Sequence, residues 1–181
     1  MRKHNQGFTI LELMMVVTIL GITTAIAAPS FTEMIKNNRI SSSVNDFVAA
    51  LQFAKAEAVA RVNPVTICIR NNDGTACAGG GGWQQGWIVF SDLDGNGAVD
   101  NDDRVLLNHE ALDRRITFGG TAGVSTQVIY RPSGTTSINN TEVLIICDDR
   151  DFARSAKGVL VTITGRGSVL KASDTGQTQC I

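Results

Sequence analysis

From Phe8 to Ala28 the chain is an apolar run carrying one charge, Glu12, near its start. The run is 21 residues long. As a helix rising about 1.5 Å per residue it spans roughly 30 Å, the thickness of a bilayer's hydrocarbon core. It can therefore cross a membrane. An ionised carboxylate at that depth costs about 2.5 kcal/mol or more, so Glu12 asks for a partner within the bilayer. Arg2 and Lys3 precede the run and no basic residue follows before Lys36. The positive-inside bias then predicts a cytoplasmic N-terminus, a single membrane pass and an extracytoplasmic globular part.

A secretory signal peptide is the competing reading: a charged start and an apolar centre precede Ala25-Ile26-Ala27, with cleavage expected near Ala28-Pro29. Against it, Glu12 falls inside the apolar centre, and the stretch is about twice the usual ~7–15 residues.

Gly7-Phe8-Thr9-Ile10-Leu11-Glu12-Leu13 resembles the class III signal of type IV pilins and type II secretion pseudopilins. The resemblance implies that a prepilin peptidase cuts between Gly7 and Phe8 and that the new N-terminal Phe8 is N-methylated. It also implies that Glu12, the fifth mature residue, acts in assembly by meeting the free amine of a neighbouring subunit. Pro29 stands where pilins commonly carry a helix-kinking proline.

The remainder fits one domain. Removing a seven-residue leader and the apolar run from 181 residues leaves about 150, a common single-domain size. A hydrophobic content of 43% is incompatible with both a multi-spanning membrane protein and a disordered chain. Sixteen basic residues meet 17 acidic ones, and without Arg2 and Lys3 the count is 14 against 17, so no global basic charge advertises nucleic acid. The distribution is uneven. Asp92 to Asp113 holds seven acids and one base, Arg104, whereas Arg150 to Ile181 holds five bases and only Asp151 and Asp174.

Cys68, Cys77, Cys147 and Cys180 form an even set with no C-x-x-C spacing, which in an oxidising compartment reads as two disulfides rather than a zinc or redox motif. Of three pairings, the favoured one is Cys68–Cys77, closing a small glycine-rich loop, with Cys147–Cys180 pinning the C-terminal tail.

Ile40, Val44, Phe47, Val48, Leu51, Ala54, Ala58 and Val62 recur at three- and four-residue steps, predicting an amphipathic helix that packs on a sheet. Pro64 disfavours helix at Asn63 and ends the element there. Eight β-rich runs follow between turn signals: Val65–Arg70, Trp87–Phe90, Val105–Asn108, Ile116–Phe118, Gln127–Tyr130, Val143–Cys147, Val159–Thr164 and Ser168–Leu170. The expected fold class is α+β, a long N-terminal helix packed on an antiparallel sheet. The expected divisions are a leader (1–7), a transmembrane helix (8–28), the amphipathic half of the helix (29–63) and a β-rich domain (64–181). Gly79 to Gly82 is expected as a loop beside the first disulfide; a phosphate cradle would need a strand before it and a helix after it.

Gly86-Trp87-Ile88-Val89-Phe90, Asp92-Leu93-Asp94-Gly95-Asn96-Gly97, Tyr130-Arg131-Pro132-Ser133-Gly134 and Thr164-Gly165-Arg166-Gly167 are together similar to the C-terminal domain of GspH, FimT and FimU minor pilins. The resemblance implies a low-copy subunit at or near a filament tip that helps to prime a type IV pilus for twitching motility, adhesion or DNA uptake. A minor pseudopilin of a type II secretion system is the alternative. Implied partners are major and minor pilins, the prepilin peptidase and methylase, and the inner membrane, before incorporation into a pilus or pseudopilus. Some relatives take up DNA through a basic Gly-Arg-x-Arg motif. Here Gly165 and Arg166 are kept but Ser168 replaces the second arginine, leaving Arg166 and Lys171, with Arg150, Arg154 and Lys157, as the candidate DNA contacts.

Two further chemistries are weighed. Asp92, Asp94, Asn96, Asp100 and Asp103, with Gly97 at the sharp turn, have the spacing of an EF-hand-type calcium loop. The twelfth position is Asp103 rather than glutamate, and strands rather than helices flank the loop; a solvated turn uses the same residue types. No cofactor besides calcium is suggested. For catalysis, the histidines are His4 and His109, no G-x-S-x-G or H-E-x-x-H occurs, and disulfide cysteines are not nucleophiles. His109 beside Glu110 reads as an exposed strand or turn residue, and no enzymatic activity is expected.

Overall fold

A computed structural model describes residues 7–181; Arg2, Lys3 and His4 of the expected leader lie outside the described residues. Helix α1 runs from Ile10 to Arg61, 52 residues without interruption at Pro29. The chain divides into two compact units at Asn38/Arg39.

In the first unit, every described residue as far as Ile35 is exposed. Thr9 precedes the helix and its Oγ1 accepts the Glu12 amide at 3.2 Å, the N-cap bond that fixes the first turn. The four threonines after Thr9 in or just beyond the apolar run each donate their hydroxyl to a carbonyl one turn back: Thr18 to Met14 at 2.7 Å, Thr23 to Ile19 at 3.0 Å, Thr24 to Leu20 at 2.8 Å and Thr32 to Ala28 at 3.1 Å. This removes most of their cost in an apolar medium.

In the second unit, α1 buries Ile40, Ser43, Val44, Phe47, Ala50, Leu51, Ala54 and Ala58. The stripe is the expected one with three differences, the first that Val48 is only half-buried at its edge. Ala50 and Ser43 are small enough to lie against the sheets, and Val62 is outside the stripe, 72% exposed at a φ of 58°. The helix has ended at Arg61, because Pro64 forces Asn63 towards extended geometry and Val62 makes the turn.

Eight strands follow: β1 (Val65–Ile69), β2 (Trp87–Ser91), β3 (Arg104–His109), β4 (Thr117–Gly120), β5 (Gln127–Tyr130), β6 (Glu142–Cys147), β7 (Lys157–Val161) and β8 (Gly167–Lys171). They form two antiparallel four-stranded sheets, β3-β2-β1-β5 and β4-β6-β7-β8, where one had been expected. Val65, Ile67 and Ile69 of β1 join the helix-facing core while Cys68 lies in a separate cluster with Ile88 and Phe90, the period-two alternation of a strand covered on both faces. Leu144 and Ile146 of β6 face the main core, and Val143, Ile145 and Cys147 face a second layer with Ala156 and Ala172.

Phe47 is the hub. Its ring meets Trp83, Trp87 and Phe118 edge-on at centroid distances of 4.9, 5.1 and 4.8 Å, drawing α1 and both sheets onto one residue. Trp83 belongs to a 3-10 turn (Trp83–Gln85) and donates its indole N–H to the Val124 carbonyl at 2.9 Å. Cys68–Cys77 and Cys147–Cys180 are the two disulfides. A short helix, α2 (Phe152–Ser155), is capped by the Asp151 side chain.

Candidate functional site

Gly7, Phe8 and Glu12 occupy the start of the apolar segment, and all three are exposed. The Glu12 amide is satisfied by Thr9, and the residue is exposed in the first helical turn. α1 is long and apolar enough to cross a membrane, and none of its most apolar window is buried within the chain. A helix apolar on every side and covered on none has its natural solvent in lipid or in other apolar helices.

The β-rich unit brings two of the sequence motifs together. The Tyr130–Gly134 turn and the Thr164–Gly167 turn touch at Gly165, where a Cβ would lie 2.5 Å from the Gly134 carbonyl oxygen and 2.9 Å from the Tyr130 ring. Both glycines hold φ near +75° (+79° and +73°), so the junction needs glycine for space and for backbone. Lys55 of α1 donates to the Thr164 carbonyl at 2.8 Å, tying the turn to the helix. Tyr130 is buried, and that burial pushes its phenol above the ordinary value.

The candidate DNA contacts are brought together only in part: Lys157 and Lys171 are direct partners across β7 and β8. Arg166 precedes β8 and Lys171 ends it, a separation of roughly 17 Å along an extended strand. Arg150 is held by Asp148 at 2.7 Å and Lys157 donates to Ser41 at 2.8 Å. His109 is half-buried at the end of β3, its ring stacked on Trp87 at 3.9 Å and its Nδ1 2.8 Å from the Glu110 carbonyl. The exposed position expected for it is corrected by that stacking. Gly79 to Gly81 are exposed and lead into the Trp83 turn.

The acidic loop joins β2 to β3. Asp92 is fully buried and receives Thr66 Oγ1 at 2.6 Å and the Gly97 amide at 3.0 Å, while Asp94, Asn96 and Asp100 are exposed. Asp103 accepts the amides of Leu93 and Asp100 at 3.0 and 3.2 Å. Only oxygen donors are present, which suits a hard cation.

A family model described as Type II transport protein GspH matches residues 43–167. The chain belongs to the GspH family. A second model, the prokaryotic N-terminal methylation motif, matches residues 2–28 and covers Gly7, Phe8 and Glu12. Together they span the apolar segment and most of the β-rich unit.

Among curated relatives, this GspH-family chain is 39% identical over 57 residues to a "Fimbrial protein" of Pseudomonas aeruginosa, a match covering 32% of this chain and 36% of that protein. The match thus spans about a third of that relative's length. Over a longer stretch it is 26% identical across 153 residues to the "Type IV major fimbrial protein FimA" of Dichelobacter nodosus, covering 80% of this chain and 82% of the relative.

The pilin-like fold is shared with solved structures. The type IV minor pilin FimU of Pseudomonas aeruginosa aligns at a TM-score of 0.59 and 20% identity, over 79% of this chain and 94% of FimU. The minor pseudopilin EpsH from the type 2 secretion system of Vibrio cholerae aligns at 0.50 and 13%, over 74% and 97%.

Sequence reasoning did not single out Thr9 as the helix cap or Thr66 as the partner of Asp92. The first was readable as a T-x-x-E pattern, Thr9 to Glu12, at a helix start. The second depends on β1 lying beside the loop and has no local signal.

Proposed function

We propose that this chain is a minor pilin of a type IV pilus. After cleavage between Gly7 and Phe8 and methylation of Phe8, the helix anchors it in the inner membrane with its N-terminus cytoplasmic and the β-rich unit in the periplasm. It then enters the filament at or near the tip and helps to initiate assembly. The role is structural rather than catalytic. The observation that carries this reading is an apolar helix left uncovered by its own chain, bearing the methylation motif and one exposed acidic residue, Glu12. Such a carboxylate is tolerated among apolar helices when a positive group meets it, and a neighbouring subunit's N-terminal amine is a fitting donor.

A minor pseudopilin of a type II secretion system is the second reading, favoured by the description of the matching family model. Peptide mass spectrometry of the membrane-purified protein from its own host tests the shared core: the mature chain begins at N-methylated Phe8. A chain beginning at Ala28 or Pro29 would end both readings. Glu12→Ala is expected to leave the protein processed and folded while abolishing its incorporation. Loss of surface pili in the deletion strain selects the first reading, and intracellular retention of secreted enzymes selects the second.

A further inference from the structure

The loop between β2 and β3 holds a buried carboxylate oxygen that nothing in the fold satisfies. Asp92 is 0% exposed; its Oδ2 takes both the Thr66 hydroxyl and the Gly97 amide, and its Oδ1 has no hydrogen-bond partner. A buried acceptor without a donor is costly and rare in folded proteins. The Oδ2 bond to Gly97 holds the carboxylate at the sharp turn of the loop 92–103, with the unsatisfied Oδ1 on the same group.

That loop is rich in oxygen. Counting Asp92 as the first position, side-chain oxygens fall at positions one, three, five, nine and twelve, as Asp92, Asp94, Asn96, Asp100 and Asp103, with glycine at position six. This is the ligand order of a calcium loop, in which the sixth residue makes the sharp turn; here Gly97 has φ +78°. The Asn96 amide nitrogen lies 2.7 Å from Asp94 Oδ2 and 3.3 Å from Asp100 Oδ2, a neutral donor standing between two carboxylates. The Arg ion pairs of the domain lie elsewhere, at Asp113, Glu57 and Asp148.

We propose that residues 92–103 bind one calcium ion, with Asp92 Oδ1 as the buried ligand and Asp94, Asn96, Asp100 and Asp103 completing the shell. Among the described residues no three acidic, histidine or cysteine groups already converge as a metal cage. The exposed carboxylates therefore close onto the ion as it displaces the Asn96 amide. The donor set excludes zinc and copper preferences, and a loop that must rearrange suits the flexible coordination of calcium better than the strict octahedron of magnesium. With aspartate in place of the bidentate glutamate, the dissociation constant falls in the range of extracellular modules, about 10⁻⁴–10⁻³ M. The ion would fasten the loop to β1 through Thr66.

The test is calorimetry and thermal unfolding of the full-length protein in detergent, titrated with calcium or magnesium chloride to about 10 mM at constant ionic strength. Calcium is expected to give a saturable heat and raise the melting temperature by a few degrees, with magnesium well behind. Asp94→Asn with Asp100→Asn, both at exposed positions, removes the calcium response, each protein being compared with its own calcium-free melting temperature. Asp103→Glu restores the bidentate ligand and tightens binding roughly tenfold. No heat and no shift with calcium, an equal shift with magnesium, or an undiminished response in the double variant would each overturn the proposal.

Discussion

Ile10–Asn38 and Arg39–Arg61 are consecutive stretches of one helix built from similar aliphatic residues, yet they obey different rules. As far as Ala28 the first has apolar side chains around its whole circumference, and none of its residues to Asn38 is buried. The second confines them to a stripe, and that stripe is the core of the domain. Both the amount and the angular distribution of hydrophobicity separate the two: the apolar run to Ala28 carries one charge, Glu12, whereas Arg39–Arg61 carries five. A uniform apolar surface specifies a medium, and a one-sided surface specifies a partner within the chain.

The sharpest way to break the comparison is a matched pair of truncations. Phe47→Ala deletes the ring that Trp83, Trp87 and Phe118 pack against and is expected to destabilise the domain by about 3–5 kcal/mol. Ile19→Ala, in the uncovered half and 62% exposed, should leave the same denaturation midpoint unmoved. Equal effects would mean that the first half is packed on the domain after all.

Slightly smaller is the effect of the disulfides, which staple only the second unit. Removing Cys147–Cys180, with a sequence separation of 33, should cost roughly 4 kcal/mol, and removing Cys68–Cys77, with a separation of 9, roughly 3 kcal/mol. Helix content of the N-terminal segment in detergent, followed by circular dichroism, should be unchanged in both.

The smallest expected effect is on pH dependence. Burial would raise the Asp148 carboxyl, but hydrogen bonds and charge from Arg150, with help from Ser155, outweigh it and hold the group below its ordinary value. A depressed carboxyl contributes stability that is complete above its unfolded value of about 4 and is lost as pH falls through the folded one. The melting temperature of Asp148→Asn should therefore lie below the parent's at neutral pH and approach it in acid, as pH falls below the ordinary carboxylate value. A constant gap between the two across that range would remove Asp148 from the acid response.

The existence of all eight strands was legible from alternating or β-branched runs near turn-forming residues, but not every bound: Val159–Thr164 is displaced from β7 (Lys157–Val161) at both ends. The division into two sheets was not legible. It rests on pairings such as β1 with β5 and β4 with β6, which join residues far apart in sequence and leave no local period. Phe152–Ser155 and the 3-10 turns at Trp83, Ala122 and Ala172 are three or four residues long, too short for helical periodicity to register. Val62 matched the spacing of the apolar stripe, but the proline two residues later decided its conformation. At the candidate sites, Glu12 stood out because a charge in an apolar run is conspicuous anywhere. The orphaned Asp92 oxygen was invisible, since its burial is made by β1.

The threonines of the apolar half carry one further implication. With the hydroxyl protons of Thr18, Thr23, Thr24 and Thr32 committed to their own backbone, this surface offers a neighbouring helix little directional grip. Apart from the carboxylate at Glu12 it is axially smooth, so a bundle of such helices would have one notch to stop sliding and many equivalent ways to turn.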